Sequence, residues 1–259
     1  MKKSKLFISF FILFIAFTIF ISATEYWEYK LLGDRYFYLK DYAKSIEYYE
    51  KALQLNPNYP EVYFKLGQIY KIKGLFDIAL FYYNKSIELK NYFQIKESVT
   101  LVYYDISEIY FYQKKYSKFL TTLETLLSSD RYYQYINIQY FRIITSIPRE
   151  YSIYSKAYFR IGYYYFFSGM YEKSINYFLY SYHLKYRESV SYWLLSKCFF
   201  SIGDQSEYKK TESIAYQTSK ELQKFDEKIK WKKIPLQKEY LIAIEKFINE
   251  FHGYYYLAD

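Results

Sequence analysis

A chain of 259 residues with 52% hydrophobic and 24% charged residues has the make-up of a packed protein, not a disordered one. Its net charge of +9 suits an anionic or acidic partner. A single cysteine, Cys198, excludes an intrachain disulfide, and two distant histidines, His183 and His252, give too few ligands for a metal site.

The first 23 residues are a separate object. Met1 to Lys5 is basic, and Leu6 to Ala23 is apolar and uncharged, ending in Ile21-Ser22-Ala23. That is the layout of a secretory signal peptide. The apolar run is also just long enough to cross a bilayer, so residues 1–23 read as a signal peptide or an uncleaved membrane anchor. In either case the lysines stay on the cytoplasmic side and the remainder goes outside. The expected address is the bacterial periplasm or extracellular face, with anchoring through residues 6–23 as the open alternative to cleavage. Export makes nucleic acid the least suited partner for the basic charge.

Residues 26–93 then say the same thing twice, 34 residues apart. Gly33 recurs as Gly67, Tyr36 as Tyr70, Tyr49 as Tyr83, Ser45 as Ala79 and Ala52 as Ser86. Each copy holds two runs of helical periodicity around a short break. In the first copy Trp27, Leu31, Leu32 and Phe37 share a stripe. Asp41 is placed to cap the second run, which ends at Asn56-Pro57. Pro60 suits the first turn of the next helix. Gly33, Ser45 and Ala52 fall where antiparallel partners cross, and a lone pair cannot bury its apolar face without stacking on a neighbour.

These residues resemble the tetratricopeptide repeat family in Tyr29, Leu32-Gly33, Tyr36, Ser45, Tyr49, Ala52 and Pro57. The match returns at Tyr63, Leu66-Gly67, Tyr70, Ala79, Tyr83 and Ser86. The resemblance implies an all-α fold, a right-handed α-solenoid of stacked antiparallel helix pairs over residues 24–259.

Copies are expected at about 26–59, 60–93, 100–130, 155–188 and 189–222. Tyr110 lies 40 residues after Tyr70, which places about six inserted residues around Asn91 to Glu97. The third copy has Ser107 in the glycine slot and Phe119 and Leu126 in the small slots, so its helices are expected further apart or differently crossed. An extra helix is expected at 131–147. The fourth copy is clear in Ile161-Gly162, Tyr165, Ser174, Phe178 and Ser181. The fifth has Ser196 for the glycine, with Tyr208 and Glu212 at the small and aromatic positions of its second helix. A capping helix is expected over 235–251. The glycines sort by slot: Gly33, Gly67 and Gly162 at helix crossings, and Gly74, Gly169 and Gly203 at first-helix ends, where a left-handed cap is wanted.

No nucleophile–base pair, phosphate loop or ligand cluster emerges, so no enzyme, cofactor or small-molecule substrate is expected. A stack of this kind offers a concave face lined by the first helix of each pair. By the family resemblance its slots are Trp27, Lys30, Asp34, Phe37 and Tyr38 in the first copy, and Glu61, Phe64, Gln68, Lys71 and Ile72 in the second. Lys156, Phe159, Tyr163, Phe166 and Phe167 follow in the fourth, and Val190, Trp193, Lys197, Phe200 and Ser201 in the fifth. Rigid rings there suit a protein or peptide segment. Family members that hold a terminal carboxylate want Asn where Asp34 stands, and its charge repels one. The expected function is an exported interaction scaffold in an envelope complex. The alternative is a membrane-surface protein that binds anionic lipid through its basic C-terminal region, with Lys209, Lys210, Lys220, Lys224, Lys228, Lys230, Lys232, Lys233 and Trp231.

Overall fold

The computed structural model describes residues 26–95, 98–128, 152–183, 188–229, 241–244 and 246–248. The signal or anchor segment, the expected helix 131–147 and His252 lie outside these residues. Two compact units divide the chain, residues 1–122 and 123–259. Every regular element among the described residues is helical. Helix α1 covers 26–38, followed by α2 (Tyr42–Leu55), α3 (Pro60–Ile72), α4 (Phe76–Glu88), α5 (Ser98–Tyr112) and α6 (Tyr116–Ser128). The second unit carries α7 (Ser152–Phe167), α8 (Tyr171–His183), α9 (Glu188–Ile202), α10 (Gln205–Thr218) and α11 (Lys220–Ile229). Residues 241–244 and 246–248 of the expected capping helix are helical.

The helix ends form where local chemistry requires them. Asp41 accepts from the Lys44 N–H at 3.2 Å to cap α2, and Asp204 accepts from the Glu207 N–H at 3.1 Å to cap α10. Pro60 opens α3, where its missing N–H is harmless. Each first helix turns into its partner through one residue at positive φ. That residue is Gly74 (72°), Gly169 (74°) and Gly203 (88°), but Lys40 (60°) and Lys114 (57°) in the first and third copies. A side chain in this region is disfavoured, so Lys40→Gly is expected to stabilise the first unit by about 0.5–1 kcal/mol in urea unfolding.

In the first, second and fourth pairs the glycine slot meets a ring sixteen residues on. A Cβ on Gly33 would lie 2.5 Å from the Tyr49 ring, one on Gly67 2.4 Å from Tyr83, and one on Gly162 3.0 Å from Phe178. The small residues add hydrogen bonds at the same crossing. Ser45 Oγ donates to the Gly33 carbonyl at 2.9 Å and Ser174 Oγ to the Gly162 carbonyl at 2.8 Å. In the third and fifth copies the slot is Ser107 and Ser196, and sixteen residues on stand Leu123 and Glu212 instead of rings. Slot and ring therefore change together.

The first unit stacks two apolar layers. Tyr49, Ala52, Tyr59, Val62, Leu66 and Ile69 form one; Phe64, Ala79, Tyr83, Val102, Ile106 and Ile109 form the other. The inserted segment makes a short 3-10 turn at Lys90–Tyr92 and then buries Phe93 in the second layer. In the second unit Cys198 is fully buried, and burial pushes its thiol up to about 12.

Candidate functional site

The face of the first helices in the first unit is polar and largely self-paired. Lys30 Nζ lies 2.6 Å from Asp34 Oδ2, and the buried Tyr49 hydroxyl donates to Asp34 Oδ1 at 2.6 Å. On α3 and α5, Lys71 Nζ reaches Asp105 Oδ1 at 2.5 Å and Glu108 Oε2 at 2.9 Å. Asp105 Oδ2 also accepts from the Tyr83 hydroxyl at 3.0 Å and from Gln68 Nε2 at 3.4 Å. These charges neutralise one another inside the chain. Asp34 therefore answers Lys30 instead of leaving it for a ligand carboxylate.

Burial opposes the charge on Lys71, but Asp105 and Glu108 outweigh it and hold its pKa above the ordinary 10.5. A raised folded-state pKa means the stabilisation is fully present below about pH 10.5. It is lost as pH rises through the folded value. Lys71→Met is expected to remove this alkaline limb from the pH profile of urea unfolding.

Among the described residues three groups on α3 stay unanswered: Glu61 Oε2, Gln68 Oε1 and Lys65. The amide oxygen Oε1 of Gln68 is buried and accepts no hydrogen bond. Lys65 has only the Phe37 ring, 4.7 Å from its ammonium, and burial lowers its pKa.

The other expected groove residues fall into two groups. Trp27, Phe37, Phe167 and Phe200 are half-buried, and Tyr38 is exposed. Phe64, Phe159, Tyr163, Phe166 and Trp193 are buried, which corrects the expectation that they line an open face. The reason is ring packing. Phe64 meets Tyr83 at 5.9 Å between centroids, Phe159 meets Phe178 at 5.7 Å, and Phe166 meets Tyr171 at 5.7 Å. Tyr163 packs on Phe167 at 4.4 Å.

Trp193 and Lys197 are covered by α11. Asp226 on that helix accepts from Trp193 Nε1 at 2.8 Å, from Lys197 Nζ at 2.5 Å and from the Tyr216 hydroxyl at 2.5 Å. Glu212 completes the cluster, accepting from Tyr208 at 2.7 Å and lying 3.0 Å from the Tyr216 hydroxyl oxygen. Burial holds the Lys197 pKa below its ordinary value, against the pull of Asp226 and Glu212. The signal for this cluster in the sequence was Glu212 at a position held by a ring in the first, second and fourth copies. Of the basic C-terminal residues, Lys209, Lys210, Lys220, Lys224 and Lys228 are exposed, with Lys210 tied to Glu207 at 3.1 Å. Lys230, Trp231, Lys232 and Lys233 lie outside the described residues.

Among the described residues no cluster of three potential ligands is placed to hold a metal ion. No helix there is long and apolar enough to cross a membrane.

A TPR repeat model matches residues 33–74, and a tetratricopeptide repeat model matches 60–93 and 155–179. The solved MamA protein is similar at 20% identity and a TM-score of 0.54, over 82% of this chain and 100% of that one. YrrB, described as a TPR protein with an unusual peptide-binding site, is 13% identical over 77% of this chain and 90% of its own, with a TM-score of 0.54. BtubC from P. vanneervenii is 12% identical over 85% and 94% of the two chains, also at 0.54. At these identities the likeness is one of fold. No curated protein matches the chain.

Proposed function

The chain belongs to the tetratricopeptide repeat proteins, and on that premise we propose that it is an exported interaction scaffold of a bacterial envelope complex. It binds a protein segment along the first-helix face of residues 26–122 and carries out no reaction. The observation that carries this reading is the repeat pattern at 33–93 and 155–179, whose stacked first helices leave a face of half-buried residues, Lys30, Phe37, Gln68 and Lys71 among them. Gln68 carries an amide oxygen with no donor inside the described chain, and a shift of its side chain would offer it to the backbone N–H of an extended segment. Lys65, over the Phe37 ring, supplies a second contact to such a segment. The self-paired Lys30 and Lys71 favour a neutral segment over a terminal carboxylate. Export rests on the basic Met1 to Lys5 and the apolar run to Ala23.

A photo-crosslinking residue at Gln68 in cells is the direct test. One discrete envelope partner is expected, and Gln68→Ala is expected to weaken its binding about tenfold, the loss of one hydrogen bond in a desolvated site. A Gln68 position that captures nothing, beside a control position that does, overturns the groove. N-terminal sequencing of the native protein decides the address. A start at Thr24 means cleavage; a start at Met1 with membrane fractionation means an anchor; a start at Met1 in the cytoplasmic fraction overturns export.

A further inference from the structure

The first unit carries a second surface, at the turns that end its first helices. Three successive turns expose large apolar side chains: Tyr38 (77%) and Leu39 (64%), Ile72 (53%) and Leu75 (44%), and Tyr112 (64%). The Tyr112 ring stacks at 6.2 Å on Phe76, the residue after Leu75, which brings the second and third turns together. Four exposed lysines interleave with these tips: Lys40, Lys73, Lys114 and Lys115. The carboxylates beside them are few. Asp41 caps α2 and holds Lys44, and Asp77 sits in the first turn of α4, where the helix dipole favours it. The opposite ends also expose apolar side chains, Leu55 (42%), Tyr92 (62%) and Ile95 (64%), but there Glu28, Glu61 and Glu88 are mixed with Lys85 and Lys90, so the two edges differ in charge.

Backbone conformation adds an independent sign. Lys40 and Lys114 hold the left-handed turn position that glycine fills in the second, fourth and fifth copies. A lysine there costs conformational energy, and strain of this kind is kept where a side chain is needed.

We propose that this edge of residues 26–122 lies against an anionic lipid surface. The exposed tips are spread over three successive turns and interleave with lysines, which suits shallow insertion into an anionic interface. Tyrosine rings and lysine ammonium groups are the side chains that settle at the headgroup layer. Apolar insertion and attraction to anionic headgroups add, as they do for other interfacial elements. This goes beyond the proposed scaffold, because the edge lies at the helix ends and Gln68 on the helix face.

The test places a polarity-sensitive dye on Ile72→Cys in the full chain, with Asn91→Cys as the control on the opposite edge. Cys198 is buried and its thiol suppressed, so the new site takes the label. The dye at position 72 is expected to shift to the blue with phosphatidylglycerol vesicles and not with phosphatidylcholine. High salt reverses the shift, and the dye at position 91 does not respond. In Lys40→Gly/Lys114→Gly the vesicle affinity is expected to fall on the order of 30-fold, while thermal stability rises. No response at position 72, or equal response to both lipids, overturns the proposal. So does unchanged affinity in the double variant. A shift with polyglutamate but not with vesicles overturns it in favour of an acidic protein.

Discussion

Gly67→Ser is expected to destabilise the first unit by about 1–3 kcal/mol, because its Cβ has no room against an immovable ring. The Tyr83 ring atoms lie 2.4 Å from where that carbon would stand, and Tyr83 is fully buried. Helix propensity works the other way, since serine favours a helix over glycine by a few tenths of a kcal/mol. Overpacking wins. Tyr83→Leu alone is expected to cost about 2–4 kcal/mol, from the cavity and from the hydrogen bond to Asp105. The third copy already uses serine with leucine, as Ser107 and Leu123. The double variant is therefore expected to lose less than the two singles together, with a coupling of about 1 kcal/mol or more in urea unfolding. Strict additivity sinks the claim that slot and ring are one unit.

Trp193→Ala is expected to destabilise the second unit by about 3–5 kcal/mol, the range for truncating a fully buried large ring. Its indole is closed in by Phe225 at 5.6 Å and Phe247 at 5.9 Å. The substitution also removes one donor from Asp226, though Lys197 and Tyr216 remain. Tyr38→Ala is expected to change stability by under about 0.5 kcal/mol, since its ring is mostly in water. Binding lost in Trp193→Ala thus reports unfolding, and a denaturant midpoint shifted less than that of Tyr38→Ala refutes its core role.

The period of 34 residues made the helix pairs legible before any coordinates, because packing at a crossing demands small residues at fixed spacing. Gly33, Gly67 and Gly162 were placed at crossings, and Gly74, Gly169 and Gly203 at left-handed turns, each where the structure has it. The open face was read less well. A slot number says which way a residue points from its own helix but not what the next helix brings over it. Phe64 and Trp193 are covered, by Tyr83 and by α11. Phe93 was missed because an insertion has no period to read, although it fills a core layer. The positive φ of Lys40 and Lys114 was not legible, since lysine gives no sign of it.

The matched residues at slot and ring also limit how such a gene can be reshuffled. A crossover between copies that falls inside a helix pair would set serine against tyrosine, or glycine against leucine. The first leaves a collision and the second a void. Exchange that preserves folding must carry both halves of a hairpin, so the inheritable module is the pair, with its breakpoints in the loops that join one pair to the next.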